Sequence, residues 1–160
     1  MLCVVATVVL LCMPMQRAIV FTETKTTTPQ TYMLPINDGD SFAIRYTHSI
    51  HLSDVEEHYT IEENRIRVRY MTYSDTAIGM PGAAEEGQTL TFQDGVYTLT
   101  FQERYLDEFT LYVGDIDLDL TLLYDERAIA LKDVLTRGKS YSIDVQKQSI
   151  YERIKGVTIR

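Results

Sequence analysis

Short runs in which apolar and polar residues alternate recur along the chain, and turn-forming residues separate them every few positions. This period of two is typical of strands that bury one face, and not of helices. The runs lie at 18–23, 32–36, 41–49, 55–61, 65–73, 89–93, 96–101, 109–113, 116–122 and 140–146, and a final strand or edge is expected in 151–160. We therefore predict an all-β fold, a single antiparallel β-sandwich or barrel of about eight to ten short strands.

Turn residues support this division of the chain. Asp94-Gly95 lies between two alternating runs, and a type I′ hairpin turn favours these two residue types. That turn places Phe92 opposite Tyr97 and Leu90 opposite Leu99, so apolar side chains share a face. One helical turn is predicted at 130–135, before a glycine at 138 that suits the left-handed conformation.

The first fifteen residues carry no charged side chain and are largely apolar. Such a run is a targeting or anchoring segment rather than part of a core. We expect residues 1–17 to be an uncleaved signal-anchor helix, with a single β-domain at 18–160 outside the cytoplasm. A cleaved signal peptide, which would release the body, and a buried terminal element are the alternatives. Both cysteines, Cys3 and Cys12, lie in this run, so the body has no internal disulfide.

The net charge of -8 and the pI of about 4.8 exclude a typical nucleic-acid-binding protein. Phosphate binding requires a cluster of Lys and Arg residues that releases counterions. No sequence motif indicates a cofactor.

The stretch from Tyr46 to Tyr59 holds all three histidines of the chain and three carboxylates between positions 54 and 57. Side chains two positions apart in a strand share a face. The alternation therefore places His48 and Glu57 on the inward faces of their strands. No other stretch is so dense in groups that can carry chemistry.

Pairing the two strands brings these residues together. A four-residue turn that pairs Ile50 with Val55 keeps both apolar sets on one side and places His48 opposite Glu57. Their Cβ atoms would then lie about 5 Å apart. In the next hairpin, the register that matches the apolar positions places Glu57 opposite Tyr70.

The loop at 73–82 leaves the predicted sheet at the same end as this polar row, so two unusual segments converge. A pocket with the row as its floor and the loop as its lid is the functional interpretation. A structural ion pair or hydrogen bond between His48 and Glu57 is the plainer one. The candidate ligand-binding residues are His48, Glu57, Tyr70, Tyr46, Ser49, Ser74, Gly79 and Met80.

Other groups of polar residues are weaker indications of a functional site. His51, Asp54, His58 and Glu56 are suitable metal ligands, but their spacing matches no known metal-binding signature. Acidic residues at 115, 117, 119 and 126 fall at calcium-loop offsets, but the required glycine is missing, so an outward carboxylate face of a strand is expected. Arginines at 65, 67 and 69 form an outward ladder, for which pairing with neighbouring glutamates is the expected role and anion binding the alternative.

The run Tyr46-Thr47-His48-Ser49-Ile50, followed by Val55-Glu56-Glu57, Tyr59 and Gly79-Met80-Pro81, resembles the domain-of-unknown-function 1850 family. The resemblance covers about residues 21–145. Members are small exported or membrane-anchored bacterial proteins that often accompany, or are fused to, tripartite ATP-independent periplasmic (TRAP) transporters of the TAXI type. The resemblance therefore implies an accessory role in solute uptake, with transporter subunits as partners.

Together these features predict a membrane-anchored, extracytoplasmic domain that binds a small ligand or supports a TRAP-type transporter. The alternative from a different class is a hydrolase or metal-dependent enzyme that uses His48 and Glu57 as an acid–base pair. A third is a purely structural partner.

Overall fold

The structure, a computed structural model, describes residues 13–76 and 79–159. Strands make up 55% of these residues and helices 7%, so the fold is mostly β as predicted. The strands are β1 (Gln16–Glu23), β2 (Thr31–Ile36), β3 (Ser41–Thr47), β4 (Asp54–Glu62), β5 (Arg65–Tyr73), β6 (Gln88–Gln93), β7 (Val96–Phe101), β8 (Tyr105–Leu106), β9 (Glu108–Val113), β10 (Leu120–Tyr124), β11 (Arg127–Ala130), β12 (Lys139–Gln148) and β13 (Val157–Thr158). Two short helices, α1 (Leu131–Val134) and α2 (Ile150–Lys155), complete the elements.

The strands form two sheets. One has five strands in the order β13-β2-β1-β12-β9, and the other has eight, in the order β11-β10-β3-β4-β5-β7-β6 with β8 added beside β5. Neighbouring strands are antiparallel except for β13, which pairs with β2 in parallel. In the described part of the chain the sheets do not close into a barrel, so the sandwich alternative agrees with the structure.

One hydrophobic core joins the two sheets. The five-stranded sheet contributes residues such as Phe21 and Ile143, and the eight-stranded sheet contributes residues such as Ile44 and Leu122. These four side chains are at most 3% exposed. The alternation in the sequence produces this arrangement because every second side chain of a strand points to the same face.

The Asp94-Gly95 hairpin is confirmed. Both turn residues have positive φ, 52° and 83°, as a type I′ turn requires. Leu90 pairs with Leu99 and Phe92 with Tyr97 in β6 and β7. The predicted helical turn is present as α1, but an extended residue, Leu135, ends it, and not Gly138, whose φ of 75° belongs to the turn before β12.

Two predicted strands are wrong in part. The run at 116–122 becomes a strand only at Leu120, and residues 114–119 form a loop that joins β9 of one sheet to β10 of the other. The segment predicted as one final strand instead contains α2 before the short β13. A capping box, in which Ser149 and Glu152 bind each other's backbone N–H groups, starts that helix.

The predicted anchor falls largely on residues 1–12, outside the described residues. Gln16 and Arg17, which the prediction placed at the end of the anchor, are the first residues of β1. Over residues 13–76 and 79–159, no helix has the length and apolar character needed to cross a membrane.

Candidate functional site

In the hairpin between β3 and β4, the first strand ends earlier than the sequence predicted. β3 ends at Thr47, and β4 begins at Asp54. Between them the N–H of His48 donates to the carbonyl of Ser53 at 2.8 Å, and the N–H of Leu52 donates to the carbonyl of His48 at 2.9 Å. His48 therefore lies in the connecting turn rather than inside the strand.

The register of this hairpin corrects the predicted His48–Glu57 pair. Val55 pairs with Tyr46 and Glu57 pairs with Ile44, so the predicted pairing of Ile50 with Val55 is wrong. The difference is four positions along β3, an even number, and Glu57 therefore still faces inward. His48 lies four residues beyond the partner of Glu57, about 13 Å along the strand direction. The acid–base alternative loses its geometric basis with this contact.

A β-bulge removes Tyr70 from the predicted inward row. Up to Tyr59 the β4–β5 register is the predicted one, with Tyr59 opposite Val68, but His58 then pairs with Tyr70 and leaves Arg69 as an extra residue. The ring of Tyr70 stacks on that of His58, with centroids 4.1 Å apart. Tyr70 consequently lies on the other face of the sheet.

Glu57 is held instead by two tyrosines of the core. The hydroxyl of Tyr46 donates to Oε1 of Glu57 at 3.1 Å, and the hydroxyl of Tyr59 donates to Oε2. Burial raises the pKa of both tyrosines above the ordinary value, and the nearby Glu57 carboxylate raises it further. The neutral, hydrogen-bond-donating form of each tyrosine is therefore the stable one.

The loop at 73–82 meets the histidine turn, as the sequence predicted. A Cβ placed on Gly79 would lie 3.8 Å from Nε2 of His48. Nδ1 of His51 lies 3.3 Å from Oδ2 of Asp75. The hydroxyl of Tyr73 donates to the carbonyl of Pro81 at 2.6 Å, which ties the two ends of the loop together.

An open cleft of about 660 Å³ lies beside His48, and we call it the His48 cleft. It forms where the loop at 114–119 crosses from the five-stranded to the eight-stranded sheet. Its lining residues are Tyr46, Thr47, His48, Ser49, Leu111, Tyr112, Gly114, Asp115, Ile116, Leu118, Asp119, Leu120 and Lys132. Apolar walls with a few polar groups are typical of small-molecule sites.

Asp119 fixes the crossing loop to the eight-stranded sheet. Its Oδ2 accepts from Nε of Arg45 at 2.8 Å, and its Oδ1 accepts from the hydroxyl of Thr121 at 2.6 Å. Its carbonyl accepts from the N–H of Thr47 at 3.2 Å. Burial opposes ionisation of Asp119, but the hydrogen bonds from Thr121 and Arg45 outweigh it and lower the pKa of the carboxyl.

Lys132 fixes the other side of the loop from α1. Its Nζ donates to the carbonyls of Ile116 and Leu118. Two charged side chains, Asp119 and Lys132, thus hold the loop that forms this wall of the cleft.

Comparison with known proteins adds a family. Residues 42–131, more than half of the chain, match the family described as Domain of unknown function (DUF1850). The chain belongs to the DUF1850 family. The match is narrower than the predicted 21–145 and runs from the second residue of β3 to the first residue of α1. No curated protein and no solved structure matches the chain.

The DUF1850 match contains most of the cleft, and three of the predicted site residues line it: Tyr46, His48 and Ser49. Gly79 lies next to His48, and Met80 packs against the hydrophobic core. Ser74 is exposed at the start of the loop. Of the predicted residues, Glu57 contacts the cleft residue Tyr46, whereas Tyr70 does not join this group.

The sequence of this DUF1850 protein did not predict one wall of the cleft. That wall consists of β9, the crossing loop and Lys132. The alternation of aspartate and apolar residues at 115–120 resembled a strand, although Gly114 was an available sign of a break. Two of the aspartates are in ion pairs: Asp119 with Arg45, and Asp117 with Arg137 at 2.7 Å. They are therefore part of a loop, not the predicted outward face of a strand.

Two of the other polar groups noted in the sequence form ion pairs. Nε2 of His58 lies 2.7 Å from Oε1 of Glu56, and Nη1 of Arg67 lies 2.8 Å from Oε1 of Glu62. The expected pairing of the arginine ladder with a neighbouring glutamate is thus confirmed for Arg67. Among residues 13–76 and 79–159, no group of three or more His, Cys, Asp and Glu side chains is arranged to hold a metal ion.

Proposed function

We propose that this DUF1850 domain binds a small molecule in the His48 cleft. The observation that carries the proposal is the cleft itself, about 660 Å³ with mostly apolar walls and a few polar groups, among them those of Thr47 and His48. Sites for small ligands are commonly about 300–1,000 Å³ and combine apolar walls with a few placed polar groups. The cleft has both properties.

The lining indicates an amphipathic ligand. Leu111, Leu118 and Leu120 offer apolar contact on the wall of the cleft. Thr47 and His48 offer hydrogen-bonding groups, and the imidazole can donate or accept. A molecule with an apolar body and one polar end group is therefore the expected class.

The binding test compares two arginine substitutions at exposed apolar positions. Ile116 lines the cleft and is 60% exposed, whereas Val96, at 41% exposed, lies in the β6–β7 hairpin outside it. Native mass spectrometry of the full chain with a mixture of medium-chain carboxylic acids, aromatic acids and apolar amino acids should show at least one retained compound. Ile116→Arg should weaken its binding by about tenfold or more, about 1.4 kcal/mol, while Val96→Arg leaves it unchanged.

Neither substitution removes buried contacts, so both variants should fold like the wild type. Equal binding by the two variants would contradict the cleft as the site. Retention of no compound by the wild type would contradict a small-molecule function.

We also propose that the domain acts outside the cytoplasm, anchored by its N-terminal segment, as an accessory to a TAXI-type TRAP transporter. Membership of the DUF1850 family and the uncharged apolar run at 1–15 support this role. The binding cleft would then present or sense the transported solute.

Affinity purification of the tagged full chain from detergent-solubilised membranes tests this role. We expect the membrane subunits of the transporter to copurify with the tagged chain. As a control, they should be absent when the same tagged chain is expressed in cells that lack the genes for those subunits. Recovery of the tagged chain without any transporter subunit would contradict the accessory role.

A further inference from the structure

α2 displays apolar side chains that the fold leaves uncovered. All six residues of the helix are exposed. Ile150, Tyr151 and Ile154 are 44%, 50% and 76% exposed, and Val157, just beyond the helix, is 53% exposed. We call these four residues the α2 patch. Exposed apolar residues are common singly, but a group of four within eight consecutive residues indicates an interaction surface.

The fold holds this patch in place rather than leaving it loose. Ser149, 4% exposed, forms a capping box with Glu152 at the start of the helix. Gly156 packs so closely on β2 that a Cβ there would lie 1.9 Å from Cε of Met33. Ile159 is 2% exposed, and its N–H donates to the carbonyl of Met33 at 2.8 Å. Both ends of α2 are therefore fixed while its apolar side faces outward.

Charged residues flank the patch in a regular way. At about 100° per residue, Ile150, Ile154 and Tyr151 occupy one side of the helix, and Arg153 and Lys155 lie on either side of them. Nζ of Lys155 lies 4.4 Å from the centroid of the Tyr151 ring. An apolar face bordered by cations is the pattern of helices that lie in a membrane surface.

The charge of this region is opposite to that of the whole chain. Residues 147–160 contain four Lys and Arg residues and one Glu, in a chain with a net charge of -8. The acidic residue, Glu152, is occupied by the capping box. Two copies of this basic region would repel each other, whereas an anionic lipid surface would attract it.

The patch also lies where the apolar N-terminal run joins the domain. The N–H of Met15 donates to the carbonyl of Gln148 at 3.2 Å, and Nη1 of Arg153 donates to Oε1 of Gln16. Met15 is itself 73% exposed. A membrane bound by residues 1–12 would therefore be close to α2.

We propose that the α2 patch lies on the surface of an anionic lipid bilayer, with its apolar side chains in the interface and Arg153 and Lys155 at the headgroups. The contact orients the domain on the membrane. It is separate from ligand binding in the His48 cleft, so either proposal can fail without the other.

A single tryptophan tests the proposal, because the chain contains none. Tyr151→Trp places the probe in the patch, and Tyr112→Trp is the matched control, since Tyr112 is 60% exposed on β9. Each full-length variant is placed in phosphatidylcholine vesicles with or without phosphatidylglycerol. With phosphatidylglycerol, emission of the Tyr151→Trp variant should move to shorter wavelength and be quenched by lipids brominated on their acyl chains. Emission of the control should not change.

Charge substitutions extend the test. In the Tyr151→Trp background, Arg153→Gln and Lys155→Gln should each lower the membrane-contact equilibrium about fivefold, and added salt should lower it further. Emission that is equal in both vesicle types would overturn the proposal. A shift already present in buffer without vesicles would also overturn it. A concentration-dependent shift would indicate a second copy, and a concentration-independent one would indicate cover by residues 1–12.

Discussion

Replacing Tyr59 by alanine is expected to lower the free energy of unfolding by about 3–5 kcal/mol. The side chain is 3% exposed and stacks on Phe42 at 4.9 Å and on Phe109 at 5.4 Å between ring centroids. Phe42 belongs to the eight-stranded sheet and Phe109 to the five-stranded one, so the substitution removes a ring that joins the two sheets. Urea unfolding followed by circular dichroism measures the change.

The control for this substitution is Tyr112→Ala, at a position 60% exposed, where the expected change is within about 0.5 kcal/mol. Tyr59→Phe keeps the ring but removes the hydrogen bond to Glu57, and should cost about 1–3 kcal/mol. If Tyr59→Phe were as destabilising as Tyr59→Ala, stacking between the sheets would not be the main contribution of this residue.

The same tyrosine makes stability depend on alkaline pH. Burial, followed by the Glu57 charge, raises the pKa of Tyr59 in the folded state. Because the unfolded chain releases this proton near pH 10, the stability that Tyr59 contributes is complete below that pH and is lost as the pH rises above it. Unfolding experiments between pH 8 and about 11 should therefore show a smaller loss for Tyr59→Phe than for the wild type.

Replacing Asp119 by alanine should lower the free energy of unfolding by about 1–3 kcal/mol and weaken ligand binding about tenfold. The substitution removes the hydrogen bonds from Arg45 and Thr121 that fix the crossing loop. The wall of the His48 cleft then becomes free to move, and a ligand must order it on binding. Urea unfolding and native mass spectrometry measure the two effects.

Asp117→Ala is the matched control, because Asp117 is in the same loop but its side chain is 88% exposed and pairs only with Arg137 among the described salt bridges. It should change stability by no more than about 0.5 kcal/mol and leave binding unchanged. Equal effects of Asp117→Ala and Asp119→Ala would show that Asp119 does not set the cleft wall.

Acid pH should also remove the contribution of Asp119 to stability. Because the pKa of its carboxyl is lowered in the folded state, that contribution is present above about pH 4 and is lost as the pH falls.

Local patterns predicted most of the strands. The β6–β7 hairpin was predicted with its register because Asp94-Gly95 leaves one favoured turn geometry. The strand at 65–73 agrees with the structure at both ends, since charged turn residues precede it and the 73–82 loop follows. Alternation also predicted correctly that Glu57 faces inward, because a shift by an even number of positions keeps the face.

The parts of the site that depend on register were not predictable in the same way. The β3–β4 turn has no residue pair such as Asp-Gly that fixes its length. Pairing Glu57 with His48 or with Ile44, four positions away, therefore agreed equally well with the alternation of apolar and polar residues. The bulge at Arg69 moved Tyr70 to the opposite face without any glycine or proline to mark it. The crossing loop at 114–119 has the alternation of a strand, but two of its aspartates, Asp117 and Asp119, pair with arginines from elsewhere in the fold. Such tertiary pairing leaves no signal in the local pattern, where Gly114 alone indicated a break.

An NMR titration of the wild-type chain with the compound retained most tightly in the binding screen is the most direct test of the His48 cleft as the site. Backbone amide shifts should change most at Tyr46–Ser49, at 111–120 and at Lys132, the segments that line the cleft. Changes concentrated elsewhere, for example in the smaller cleft between His58 and Tyr124, would contradict the account.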